Sequence, residues 1–185
     1  MITTEKLFQI ATIEKGQQID TSNLKEDKKF KYINGGIKES GYFDNFNTEQ
    51  NTVIISEGGA SCGFVNFIDE PFWCGCHCYR LKNPKINPKY LYFALKYREN
   101  DLMDLRTGIC MPNIKKSTLL NFELSYENNI ELQNSIIKKC EKIQELIFIK
   151  KEEIECFEEI ISSELVKLIN KAKTFTDLYK LICFI

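Results

Sequence analysis

The stretch of sequence that decides the fold runs from residue 124 to residue 168 and reads LSYENNIELQNSIIKKCEKIQELIFIKKEEIECFEEIISSELVKL. Within it, apolar residues recur every seven positions, and a second apolar series lies between them. Such a pattern predicts one long amphipathic helix with a coiled-coil seam. Because a single helix cannot bury its own seam, we expect these residues to form a dimer contact: Ile136, Cys140, Ile143, Ile147, Ile154, Phe157, Ile161 and Leu168.

The sequence before residue 124 follows a different period, that of short strands separated by glycine turns. Residues 51–57 are rich in β-branched side chains and end at Gly58-Gly59, and residues 64–68 alternate as the return strand of a hairpin would. Residues 72–81 are predicted as a further strand and residues 90–103 as the helix of this region. The fold class is therefore predicted as α+β, a small β-rich mixed domain followed by a long C-terminal helix.

Three segments follow from this change of period. Residues 1–125 are predicted as a head domain and residues 126–172 as a spacer and dimerisation helix. Residues 173–185 are predicted as a short apolar C-terminal segment that docks on the head or on another chain. This last segment is too short to span a bilayer.

Composition sets limits on the function. The net charge of the chain is -1, and residues 1–125 hold 16 lysines and arginines against 15 aspartates and glutamates. That balance argues against strong nonspecific affinity for nucleic acid but leaves room for local basic clusters. The chain shows neither a signal peptide nor an apolar run long enough to span a membrane, which predicts a soluble cytoplasmic protein with no membrane partner and reduced cysteines.

Two cysteine patterns suggest a metal site or a catalytic thiol. Residues 74–78 read CGCHC, but in an extended strand Cys74, Cys76 and Cys78 would face one side and His77 the other, with no second cysteine pair to complete a zinc tetrahedron. Cys62 and His77 together suggest a thiol nucleophile and its base. The sequence identifies neither an orienting third group nor an oxyanion hole for them, so a packed strand and turn are the preferred interpretation and no metal or cofactor is predicted.

Residues 87–90 read NPKY, close to the NPPY signature with which adenine methyltransferases hold their target base. The second proline is missing, and no glycine-rich cofactor motif precedes it. We therefore expect a helix entry, with Asn87 as the N-cap and Pro88 in the first turn.

A series of motifs in a fixed order carries a family resemblance. The motifs are YINGG at 32–36, SGY at 40–42, ISEGGASCGFVN at 55–66, FW at 72–73, HCY at 77–79, YLY at 90–92, Gly108 and MPNI at 111–114, followed by the long helix. In order and spacing they resemble the target recognition domain of type I restriction-modification specificity subunits, over nearly the whole chain to about residue 170.

The resemblance implies a DNA-reading chain that is not an enzyme. Family members carry two recognition domains that alternate with two long helices, and the helices pair antiparallel and dock the methyltransferase subunits. Each recognition domain reads half of a split sequence in double-stranded DNA. Methyl transfer from S-adenosylmethionine and ATP-driven cleavage belong to other chains.

This chain resembles one half of such a subunit, with a single head and a single helix. The unpaired seam therefore predicts a symmetric, antiparallel homodimer that reads a palindromic split sequence. Lys150 and Glu164 interrupt the seam and are candidates for fixing its register. The alternative is a repurposed recognition domain that acts as a dimeric adaptor between proteins, without restriction partners.

Candidate DNA contacts are polar or cationic residues near the glycine turns, where backbone can approach DNA closely. Each has a structural alternative, because turn residues often bond their own backbone. The predicted contacts are Asn34, Lys38, Ser40, Ser61, His77, Arg80, Arg106, Asn113 and Lys116.

Overall fold

The computed structural model describes residues 1–25, 27–108 and 110–171, the side chains of Leu168, Asn170 and Lys171 excepted. The predicted apolar segment 173–185 and the Leu168 side chain lie outside this description. The chain divides into two compact units, Met1–Lys138 and a second that begins at Lys139. No helix in the described ranges has the length and apolar character needed to cross a membrane.

The first unit is a mixture of short strands and helices, as the sequence predicted. The strands are β1 Ile2–Lys6, β2 Thr12–Lys15, β3 Phe30–Ile33, β4 Gly41–Phe43, β5 Thr52–Ser56, β6 Val65–Ile68, β7 Trp73–Cys74, β8 Cys78–Lys82 and β9 Glu123–Glu127. The helices are α1 Leu7–Ile10, α2 Pro88–Tyr97, α3 Glu99–Asp104, α4 Lys116–Leu120 and α5 Ile130–Lys171, of which only residues 130–138 belong to the first unit. The predicted α+β class with a long final helix is confirmed.

The strands form three sheets. The largest has the order β2-β8-β5-β6 with antiparallel neighbours, and it contains the predicted hairpin of β5 and β6. A second sheet has the order β4-β3-β7, in which β3 and β7 run parallel. The third pairs β1 with β9, so that Thr3 lies opposite Tyr126 and the start of the chain is tied to the strand before α5.

All five residues of β5 are buried, because both faces of this strand are covered. Val53 and Ile55 belong to the main core with Leu91 and Leu95 of α2. Ile54 points to a second cluster that includes Ile33, Cys74 and Cys78. The strand therefore joins two cores, which explains its near-continuous run of β-branched residues.

Two predicted elements are interrupted. The predicted strand 72–81 is β7, a turn and β8, because the chain packs tightly at Gly75, where an added Cβ would lie 2.3 Å from Asn34 Oδ1. The predicted helix 90–103 is α2 and α3, which meet at Arg98 with φ -100° and ψ 18°. At the start of α3 the Glu99 carboxylate accepts from the Val65 amide (2.8 Å) and from Lys96 (2.6 Å).

The ends of α2 and α5 follow sequence signals. Asn87 Oδ1 accepts from the Lys89 amide at 2.9 Å, and Pro88 stands in the first turn, as predicted. Asn129 Oδ1 accepts from the Glu131 amide at 2.8 Å, which makes Asn129 the N-cap of α5. Within the first unit, the opening turns of α5 bury Gln133 and Ile137.

Candidate nucleic-acid interface

Four loops that are far apart in the sequence meet at a surface cavity of about 490 Å³. They follow β3, join β5 to β6, precede β8 and precede α4. Five of the nine predicted DNA-contact residues line this cavity, namely Asn34, Ser40, Ser61, His77 and Asn113. We call this surface the glycine-turn cavity, because Gly35, Gly36, Gly58 and Gly59 form much of its wall.

Backbone hydrogen bonds hold the four loops together. The Gly75 amide donates to the Ile33 carbonyl (2.8 Å), and the Glu57 amide donates to the His77 carbonyl (2.8 Å). On the other side, the Gly59 amide donates to the Pro112 carbonyl at 3.0 Å. These hydrogen bonds link the loops that form the cavity wall.

Gly35 and Gly59 supply backbone conformations that other residues adopt poorly. Their φ angles are +93° and +74°, in the region that favours glycine. At Gly35 an added Cβ would also lie 2.9 Å from the His77 carbonyl oxygen, whereas at Gly59 it would meet no atom within 4 Å. Gly35 is therefore required for close packing as well as for its turn.

Two of the cavity residues hold the loops in place. Asn34 Oδ1 accepts a hydrogen bond from the His77 amide at 3.1 Å. The Ser61 hydroxyl donates to the Gly35 carbonyl. These contacts use the Asn34 carbonyl and the Ser61 hydroxyl inside the protein, so Ser40, His77 and Asn113 are the better candidates for direct contact with a ligand; His77 and Ser40 are exposed and Asn113 is half-buried.

Glu57, whose carboxylate is buried, immediately precedes the cavity residues Gly58 and Gly59. Glu57 Oε1 accepts from Lys15 Nζ at 2.7 Å and lies 2.9 Å from the Tyr79 hydroxyl. The Tyr79 hydroxyl also lies 3.0 Å from the Ile114 carbonyl oxygen. Burial, together with the hydrogen bond and negative charge of Glu57, raises the pKa of Tyr79. This network connects β2, β5 and β8 to the loop that carries Asn113.

The lysines and arginines predicted to contact DNA do not line the cavity, and they differ in their surroundings. Lys38 lies between Gly36 and Ser40, and it is exposed. Arg106 is exposed and precedes Thr107, whose backbone pairs with that of Asn113 in both directions at 2.9 and 3.0 Å. Lys116 is exposed at the start of α4. All three are close in sequence to residues of the cavity wall.

Arg80 does not fit the prediction of a DNA contact. It is buried, and its Nη1 donates to the Asn47 carbonyl (2.6 Å) and to the Thr48 hydroxyl (2.9 Å). Its Nη2 lies 3.1 Å from Glu14 Oε2. Because β8 is an inner strand of the largest sheet, the Arg80 side chain serves the scaffold, and we remove it from the candidate contacts.

Sequence reasoning missed Met111, which lines the cavity with 81% of its surface exposed. It stands at the tip of a loop closed by the pairing of Thr107 with Asn113 and turned at Gly108, whose φ is +91°. In the sequence, the available signal was Gly108, which stands three residues before Met111-Pro112.

The thiol chemistry considered from sequence is not favoured by the geometry. Cys62 is fully buried, its thiol donates to the Glu57 carbonyl (3.0 Å), and burial raises its pKa, whereas a nucleophilic cysteine requires a lowered one. Cys74 and Cys78 are buried together in the second cluster, whereas Cys76 is only partly buried and its thiol lies 2.8 Å from Gln18 Oε1, so the expected face of three cysteines does not form. Among the described residues, no three histidine, cysteine or acidic side chains form a metal-binding group.

Comparison with protein families gives a match over residues 2–159 to the type I restriction modification DNA specificity domain. Two curated proteins named as type I specificity subunits are similar to the chain. That of Mycoplasma pneumoniae is 35% identical over 137 residues, which cover 72% of this chain and 36% of the relative. That of Mycoplasma genitalium is 34% identical over 137 residues, 72% of this chain and 35% of the relative. The match thus spans about a third of each curated relative.

Solved structures give the same result at the level of the fold. The S subunit of a type I restriction-modification system from M. genitalium superposes with a TM-score of 0.74 at 28% identity, covering 98% of this chain and 49% of that one. The HsdS subunit from Thermoanaerobacter tengcongensis superposes with a TM-score of 0.60 at 18% identity, covering 82% of this chain and 39% of that one, and it supports the fold alone.

Proposed function

This chain belongs to the family of type I restriction modification DNA specificity domains, and from that membership we propose that it reads one half-site of a split sequence in double-stranded DNA. The family is one of specificity domains, in agreement with the prediction that the chain is not an enzyme. The observation that carries the DNA-reading proposal is the convergence of four loops at the glycine-turn cavity.

The proposed contacts divide by chemistry. His77, Ser40 and Asn113 offer hydrogen-bonding groups for base edges, and Met111 offers an apolar contact such as a thymine methyl group accepts. Lys38, Arg106 and Lys116 are exposed cations close in sequence to residues of the cavity wall, and they are suited to phosphates, which orient a protein on DNA without reading sequence. The glycines allow the backbone to come close to the DNA.

The remaining parts of the proposal concern α5. We propose that two copies pair antiparallel through the seam of α5 and that this pair positions methyltransferase subunits, which supply the chemistry. The 42 residues of α5 correspond to about 63 Å at a rise of about 1.5 Å per residue. That length exceeds one turn of B-DNA, about 34 Å, and so suits a site split into two halves.

The test is a binding measurement on random duplex DNA, with and without a methyltransferase subunit, followed by sequencing of the bound fraction. Alanine variants of Lys38, Arg106 and Lys116 should each weaken binding on all sequences and lower the salt slope by about 1. Lys138→Ala, an exposed cation outside the cavity, is the control.

Alanine at His77 or Asn113 should instead change which sequences are selected, because base contacts carry specificity. Unchanged salt slopes together with unchanged selected sequences would contradict the cavity as the DNA site. A chain that dimerises but binds no DNA, with or without the methyltransferase subunit, would favour the adaptor alternative.

A further inference from the structure

Among the aspartates and glutamates that the structure describes, only Glu57 is buried, with 7% of its surface exposed. Its main chain lies between two loops of the glycine-turn cavity. The Glu57 amide donates to the His77 carbonyl at 2.8 Å, and the Glu57 carbonyl accepts from the Ile114 amide at 2.9 Å. Asn113 directly precedes Ile114. The separation of two candidate base contacts, His77 and Asn113, therefore depends on Glu57.

The Glu57 side chain joins two further strands to these loops. Glu57 Oε1 accepts from Lys15 Nζ, at the end of β2, at 2.7 Å, and it lies 2.9 Å from the Tyr79 hydroxyl of β8. The same hydroxyl lies 3.0 Å from the Ile114 carbonyl oxygen. We call Lys15, Glu57 and Tyr79 the Glu57 network. All three residues are described, and none of them lines the cavity.

The Tyr79 hydroxyl has two acceptors within reach but only one proton to donate. Burial and the neighbouring Glu57 raise the pKa of Tyr79, so the hydroxyl keeps this proton at neutral pH. Because Lys15 already donates to Glu57 Oε1, the carboxylate has a donor without Tyr79, and the hydroxyl proton remains for the Ile114 carbonyl. The Glu57 network thereby directs a hydrogen bond from β8 onto the end of the loop 111–114.

From this geometry we infer that the Glu57 network consists of positioning residues for DNA reading, which set the loop 111–114 against His77 and thereby determine which sequence the cavity selects. Groups that bind a ligand selectively must be held within about 0.5 Å of their working positions by supporting hydrogen bonds. The loop lies between α3 and α4, outside the helices and strands, so its position depends on such bonds. This inference rests on the proposed function and adds three residues that act without touching DNA.

Tyr79→Phe tests the inference, because it removes the hydroxyl and keeps the ring. The measured quantity is the ratio between affinity for the selected duplex and affinity for random duplex. We expect this ratio to fall by about fivefold or more, which is what one well-placed base contact is worth. Affinity for random duplex and its salt slope should stay unchanged, because the phosphate contacts are intact. Tyr126→Phe is the matched control and should leave the ratio unchanged; Tyr126 is also buried, and its hydroxyl lies 2.8 Å from Glu5 Oε2.

Lys15 provides a second test of the same contacts. In Lys15→Met the carboxylate loses its other donor and retains the Tyr79 proton, so the Ile114 carbonyl loses its hydrogen bond and the ratio should fall as in Tyr79→Phe. The double variant should fall no further than Tyr79→Phe alone, because both changes break the same hydrogen bond and coupled effects do not add. Lys15→Arg keeps a cationic donor and should preserve the ratio.

The outcomes separate the positioning role from the proposed function. A ratio that falls equally in Tyr79→Phe and Tyr126→Phe, or in neither, overturns the positioning role. A lower salt slope in Lys15→Met also overturns it, because Lys15 would then be a phosphate contact. A wild-type chain with equal affinity for every duplex overturns the proposed function, and this inference with it.

Hydrogen exchange in the absence of DNA tests the contact itself. The amides of the loop 111–114 should exchange faster in Tyr79→Phe than in the wild type, whereas Tyr126→Phe should leave them unchanged. Unchanged exchange in Tyr79→Phe overturns the inference even where DNA reading stands. Circular dichroism checks folding, and Lys15→Met, at a side chain that is 50% exposed, gives the same test if Tyr79→Phe misfolds.

Discussion

At the scale of single residues, the glycine-turn cavity depends on contacts between distant loops. The turn at Gly35 was predictable, since a pair of glycines after a strand is typical of a tight turn. Its neighbour was not, because His77 lies 42 positions further along the chain and is brought there by the parallel pairing of β3 with β7. The same holds for Arg80, whose burial in β8 removes it from the candidate DNA contacts.

A pair of glycine substitutions separates backbone strain from packing. Gly35→Ala and Gly59→Ala both place a Cβ at positive φ, which costs on the order of 1 kcal/mol. Only Gly35→Ala also brings that Cβ against the His77 carbonyl. We expect Gly35→Ala to lower the free energy of unfolding by about 1 to 3 kcal/mol more than Gly59→Ala. Urea denaturation measures both, and equal losses would show that the two loops do not pack as described.

At the scale of elements, local signals set some ends of helices, and tertiary contacts set others. Asn87 caps α2 as the sequence predicted, because an N-cap bonds only its own first turn. The division of the predicted helix at Arg98 had no local signal, since Glu99 there bonds to Val65 at the start of β6. The break between β7 and β8 likewise reflects the close approach of Gly75 to Asn34.

The α5 seam offers a prediction at this scale. Lys150→Leu replaces a charged residue at an otherwise apolar position of the seam. Removing the cost of burying that amine should tighten the dimer about tenfold. Lys142→Leu, at an exposed position outside the seam, is the control. Analytical ultracentrifugation measures the dimer Kd of both variants. A Lys142→Leu dimer that tightens as much as the Lys150→Leu dimer would contradict the assigned seam.

At the scale of the whole molecule, the chain has two units that differ in how much of their apolar surface they bury. The first unit, Met1–Lys138, has two buried clusters of its own. The second begins at Lys139, and its described side chains are exposed apart from those of Cys140 and Glu141, which are partly buried. A dimer that covers this second unit would make the helix the spacer between two DNA half-sites.

The spacer proposal predicts a change in the DNA target. Deleting the seven residues 150–156 keeps the heptad pattern and shortens α5 by about 10 Å. At about 3.4 Å per base pair, the selected half-sites should move closer by about three base pairs with their own sequences unchanged. Sequencing of DNA selected by the wild type and the deletion variant measures the spacing. An unchanged spacing would show that α5 does not set it.

The sequence by itself determined the α+β class, the hairpin of β5 and β6, the cap of α2 and the long helix, because these depend on periodicity and on neighbours within a few residues. Its motif order also indicated the family. Only the tertiary structure decided which predicted contacts lie together, and that Met111 joins them while Arg80 does not. The reason is physical: loops meet through strand pairing between distant segments, and burial changes a cation from a surface contact into an internal one.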